Sequence, residues 1–185
     1  MNGPISGLTF DSDAVDYAYW GAIVPLGALS GNPACEKGGC ALFREFRNGF
    51  CTGADRAGLA VRLALPRGVL NVRYRVLVGE ALPSSGQPPS YAPPPFQVDV
   101  AQPGMEPVTT SVMLSPSDYS PMPVPEPNLK WQTAWRTLTI SAGPAPDAGV
   151  TLYISPMAEC GGAGGGGPVP PPVPTVVYVD SITGG

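Results

Sequence analysis

From Trp135 onward the chain alternates polar and apolar residues at period two: Thr137, Thr139 and Ser141 against Leu138, Ile140 and Ala142. Successive side chains of a β-strand point to opposite faces, so the apolar trio lines one face and the hydroxyls the other. A Gly/Pro-rich turn at 143–149 ends this segment. Residues 150–154 and 176–180 then repeat the alternation. Three strands with one apolar face each need a second sheet to cover them, and the rest of the chain is expected to supply it.

Earlier segments carry the same period. Leu59, Val61, Leu63 and Leu65 form one apolar row, and Val72, Tyr74, Val76 and Val78 another, with Pro66-Arg67-Gly68 between them. This pair is the strongest hairpin candidate. Asn71, Arg73 and Arg75 stand opposite the second row. The two arginines present an anion contact or the solvated side of a half-exposed strand, the latter favoured. Residues 40–46, Phe96/Val98/Val100 and Val108/Thr110/Val112/Leu114 read as further strands, and Tyr17 and Tyr19 alternate with Trp20 facing the other way. No stretch sustains a 3.6-residue stripe with caps. Eight or so short strands predict an all-β, two-sheet antiparallel sandwich in a single domain spanning residues 1–185.

Composition changes this picture in one respect. Gly (24) and Pro (25) together make up just over a quarter of the 185 residues. They concentrate in excursions at about 80–95, 115–130 and 156–174 between the patterned rows. The second of these is expected to be an extended loop with polyproline character. Loops this long bind something or lie against a neighbour. Only 13% of residues are charged, which suits a subunit packed in an assembly.

The formal charge of −4 leaves no basic stripe for nucleic acid. No apolar run approaches the roughly 20 residues that span a bilayer as a helix. The N-terminus has neither a basic region nor an apolar run behind it, so no signal peptide is expected, and the chain is read as cytosolic in synthesis or already processed.

Candidate chemistry is sparse. With no histidine, His-based triads and His-ligated metal centres are excluded. The carboxylates are dispersed and sit in no recognisable catalytic frame, so an enzyme is not expected. Cys35, Cys40, Cys51 and Cys160 include no CxxC pair, which argues against zinc. A disulfide within the first three is sterically easy, cytosolic synthesis argues against its early formation, and the pairing stays open. Tyr17, Trp20, Tyr91 and Trp131 are the aromatics available to stack on a sugar ring, while Tyr17 and Trp20 serve equally as cover for the core edge.

The pattern Trp-x-x-Leu-x-Ile-x-Ala from Trp135, then Val-x-Leu-x-Ile from Val150, then Val-Tyr-Val-Asp-Ser-Ile from Val177 resembles the ending of galactose-binding-like jelly-roll domains. Such domains occur in carbohydrate-binding modules and in bacteriophage head and tail structural proteins. The resemblance implies a jelly roll and a structural calcium joining first and last strands, with Asp11 or Asp13 and Asp180 as ligands by position. Oxygen donors of this kind suit calcium. It also implies a non-catalytic role. The first expectation is a virion component, a capsid decoration or minor tail protein, contacting capsid or tail proteins and copies of itself through its loops. The alternative is a carbohydrate-binding module, and a decoration protein that binds a surface glycan would combine the two.

Overall fold

The period-two rows become strands that bury one face. The computed structural model describes residues 4–10, 17–20, 23–25, 35–36, 38–44, 58–79, 96–126, 129–153 and 175–185. Thirteen strands lie among them: β1 (Gly7–Thr9), β2 (Tyr17–Trp20), β3 (Ile23–Pro25), β4 (Ala41–Arg44), β5 (Gly58–Leu65), β6 (Val69–Val78), β7 (Phe96–Ala101), β8 (Val108–Val112), β9 (Tyr119–Glu126), β10 (Leu129–Thr133), β11 (Arg136–Ser141), β12 (Ala145–Tyr153) and β13 (Thr175–Gly184). The only helical element among the described residues is one 3-10 turn at Pro116–Asp118.

The strands form two antiparallel sheets. Five strands run in the order β2-β5-β12-β7-β8, and eight follow the path β3-β4-β13-β6-β10-β9 with β1 beside β13 and β11 beside β6. One core fills the space between them. It joins Leu59, Leu63, Phe96, Val98 and Leu152 of the smaller sheet to Phe43, Val72, Val76, Val177 and Ile182 of the larger. All ten are sealed from solvent. The expected all-β, two-sheet sandwich is the fold of the chain.

Three expectations need correction. First, β5 and β6 are not a hairpin. β5 pairs with β2 and β12, whereas β6 pairs with β13, β10 and β11 in the other sheet. In a sheet hairpin both apolar rows would lie on one face; here the chain turns a corner at 65–69 and the rows meet each other across the core. Second, the three C-terminal rows do not belong to one sheet. β11 and β13 flank β6, while β12 sits at the centre of the opposite sheet. Third, the excursion at 115–130 is mostly strand: β9 is a proline-bearing edge paired with β10. An edge strand tolerates proline because one of its sides needs no donors. The strand count rises for the same reason, since several short pieces were hidden among loop residues.

β10 and β11 behave as one interrupted strand along β6. Gln132 opposes Leu77 and Arg136 opposes Tyr74, so three residues of this strand face two of β6. Within the gap the Val76 N–H donates to Thr133 Oγ1 at 3.1 Å, and both groups are buried. A Thr133→Val substitution keeps the shape and strands that N–H. We expect a loss of about 1–3 kcal/mol in urea unfolding, with Thr133→Ser recovering most of it. Equal midpoints for the valine and serine variants would contradict this role.

Candidate functional site

The outward face of the eight-stranded sheet is divided in two. At one end Leu42, Leu77, Leu129, Val176 and Tyr178 form a second, smaller apolar cluster, with Cys40 buried among them and Cys35, Met122 and Trp135 at its margin. At the other end the same strands turn polar. Thr137 of β11 lies opposite Arg73 of β6, which lies opposite Ser181 of β13. One row further, Thr139 opposes Asn71, and Asn71 opposes Thr183. Strict alternation on three neighbouring strands thus lays amide, guanidinium and hydroxyl groups side by side. Thr139 donates to Asn71 Oδ1 at 2.8 Å, fixing the amide's orientation.

Two irregularities in pairing shape the middle of this face. On β13 the register slips between Val179, opposite Tyr74, and Ser181, opposite Arg73. Asp180 is the extra residue, and both it and Ser181 reach the outward side. On the far side of β6, the interruption between β10 and β11 turns Trp135 outward. An extra residue re-aims the side chains around it. Here the two interruptions flank the arginines of β6 from both sides.

Glu36 completes the arrangement from outside the sheet. It is carried by the Cys35–Cys40 disulfide, whose Cα atoms are 5.5 Å apart. Its two carboxylate oxygens accept from Arg73 Nε at 2.6 Å and Nη2 at 2.5 Å, a bidentate pair. Hydrogen bonding to Glu36 raises the Arg73 pKa above the ordinary guanidinium value, burial opposes it, and the charges of Glu36 and Asp180 add to the rise. Glu36, Asn71, Arg73, Thr137, Asp180, Ser181 and Thr183 line an open depression of about 360 Å³. Trp135 stands beside it, its ring centroid 5.9 Å from the Arg73 guanidinium carbon and 5.0 Å from that of Arg75.

The residues singled out in the sequence fall in different places. Asp180 lies in the depression. Trp131 opposes Val78, packs against the main core, and has its indole Nε1 buried without a partner. Tyr119, opposite Thr133 on the adjacent strand, likewise has a buried, unpartnered hydroxyl, and burial pushes its pKa up to about 12. Tyr17 and Trp20 lie on β2, paired with β5 in the other sheet; their side chains lie outside the description. Tyr91, Asp11, Asp13, Cys51 and Cys160 lie outside the described residues, as do 80–95 and 156–174. Among the described residues no three metal-ligating side chains come together. Of the pairings open in sequence, the structure contains Cys35–Cys40. Glu36, Asn71, Thr137, Ser181 and Thr183 were not singled out. For the four strand residues the signal was the polar half of an alternating row, which gives no sign of which rows become neighbours; Glu36 lies in no such row.

The chain is therefore a two-sheet antiparallel β-sandwich with a polar depression on the open face of its larger sheet. No family model matches it, and neither does any curated protein. Among solved structures it is similar to the carbohydrate-binding module CBM61 in complex with β-1,4-galactotriose, at 10% identity and TM-score 0.42 over 91% of this chain and 86% of that one. It is similar also to the CBM22-1 xylan-binding domain from Paenibacillus barcinonensis, at 11% identity and TM-score 0.43 over 98% and 94%. A third is a cleaved adhesin domain of Lys-gingipain from Porphyromonas gingivalis, at 12% identity and TM-score 0.43 over 95% and 94%. At identities and TM-scores this low, the fold rests on the strand order itself.

Proposed function

We propose that this chain is a non-catalytic binding module whose outward depression takes a carbohydrate. One observation carries the reading: the cross-strand rows Thr137/Arg73/Ser181 and Thr139/Asn71/Thr183, which end against the half-buried ring of Trp135. A sugar has hydroxyls around its rim and C–H groups on its faces. Short polar side chains on a sheet offer fixed donors and acceptors to the rim, and an indole offers an apolar surface to the C–H side. The volume lies at the small end of ligand sites. Both oxygens of Glu36 are engaged by Arg73, which suits holding the site in shape and does not suit proton transfer. The expectation of a particle subunit rests on low charge and on proline-rich excursions, of which 80–95 and 156–174 lie outside the described residues and 115–130 is mostly strand.

The test is a glycan array with the intact chain, followed by calorimetry on the best binder. Asn71→Ala and Trp135→Ala are each expected to weaken binding about tenfold, the loss of one hydrogen-bonded or aromatic contact. Circular dichroism should be unchanged. Absence of binding to every glycan, or full affinity in both variants, overturns the reading.

A further inference from the structure

Arg73 and Arg75 project from the same face of β6, two positions apart, yet their surroundings differ. Arg73 is satisfied: Glu36 takes two of its N–H groups, and Asp180 adds its charge nearby. Arg75 lies one row on, opposite Tyr178 in the register and at the margin of the outer apolar cluster. It is half-buried and makes no hydrogen bond or ion pair with any described residue. Its Nε–H is sealed from solvent without an acceptor. Its contact is with Trp135, the guanidinium carbon 5.0 Å from the ring centroid.

A guanidinium does not give up its proton in a protein, so this cation stays charged in a place that disfavours it. Burial is the largest influence lowering its pKa, and neighbouring Arg73 works in the same direction, while Glu36 opposes both. Because both Glu36 oxygens are taken by Arg73, the guanidinium of this face without an ion-pair partner among the described residues lies at the Trp135 end, beside the polar rows. The aromatic contact holds the guanidinium in place, so little side-chain freedom is lost when an acceptor arrives. An anion arriving at Arg73 would have to displace Glu36. An anion arriving at Arg75 displaces no hydrogen-bond or ion-pair partner among the described residues.

We infer that Arg75 is the anchor for an acidic group, so that the ligand of this face is a glycan bearing a carboxylate or sulfate whose oxygens accept from the Arg75 guanidinium while its ring lies along the Thr137/Arg73/Ser181 row. The inference rests on the carbohydrate reading and narrows it to acidic sugars. Asp180, at the other end of the row, sets the polarity: the acidic group lies toward Trp135, away from that carboxylate.

The experiment uses matched pairs of glycans on one array: uronate oligosaccharides with their carboxyl-reduced counterparts, and sulfated oligosaccharides with their desulfated ones. The intact chain is expected to bind the acidic member of at least one pair about tenfold or more above its neutral partner, and the difference should shrink as salt is raised. Arg75→Gln should abolish the difference and leave the residual neutral affinity, with Arg75→Lys recovering part of it. Melting temperatures of both variants establish that they fold. Uronate and sulfate pairs separate the two sources of negative charge. Equal binding within every pair, or an acid preference that survives in Arg75→Gln, overturns the inference and leaves the carbohydrate reading standing. No binding to any glycan overturns both.

Discussion

Replacing Phe96 with alanine is expected to lower the unfolding free energy by about 3–5 kcal/mol, the range for emptying an aromatic site in a packed core. Phe96 begins β7 in the smaller sheet and is fully sealed from solvent. Its ring meets two rings of the larger sheet: Tyr74 at 5.5 Å between centroids, and Phe43 at 6.4 Å and nearly edge-on. One side chain therefore joins β7 to both β4 and β6 across the sandwich. The surrounding residues are β-strand side chains fixed by ladders on either side, so they cannot move in to fill the void. Urea unfolding followed by tryptophan fluorescence should show a lower midpoint with unchanged slope. A loss below about 1 kcal/mol would mean that the two sheets do not close on each other at this point.

Gly68→Ala is expected to cost about 3–4 kcal/mol, for two separate reasons. The residue sits at φ +70°, where an L side chain loses roughly 1–2 kcal/mol. Any Cβ there would stand 2.3 Å from the carbonyl carbon of Gly143 and 2.5 Å from the nitrogen of Pro144. That is backbone, and it is held in place. The Gly68 carbonyl accepts from the N–H groups of Ala142 at 2.8 Å and Gly143 at 3.1 Å, and Gln102 Nε2 donates to the Gly143 carbonyl at 2.7 Å. The corner from β5 to β6 is thus clamped to the turn after β11. Calorimetric melting of Gly68→Ala against Gly104→Ala separates the two costs. Gly104 also has positive φ, but its Cβ would meet nothing within 4 Å. If the two variants melt together, the close approach carries no cost.

The corner also shows what the sequence could and could not say. The rows 59–65 and 72–78 were legible residue by residue, because burial of one face at period two is a local property of each strand. Pro66-Arg67-Gly68 was legible as a turn. Whether the two strands then pair side by side or face each other depends on Gly143 and Gln102, far away in the chain. The polar site was hidden for the same reason. Thr137, Asn71 and Ser181 each read as the solvated side of a strand, and only the pairing of β11 and β13 on either side of β6 brings them together. The slip at Asp180 and the interruption before Trp135 are deviations from the very alternation used to find the strands, so periodicity cannot announce them. The proline-rich stretch at 115–130 misled in the opposite direction: its composition is that of a loop, but an edge position lets Pro121, Pro123 and Pro125 stand in a strand.

Those three prolines bring no N–H to β9, and they fall where its register against β10 breaks, between Pro121, opposite Trp131, and Glu126, opposite Leu129. The β9 border of the larger sheet therefore has fewer donors than a newcomer strand would need along 121–125. Pairing of a second copy along those residues is disfavoured for that reason. The border strands of the smaller sheet, β2 and β8, carry no proline, so a partner that docks by lengthening a sheet would find donors there instead.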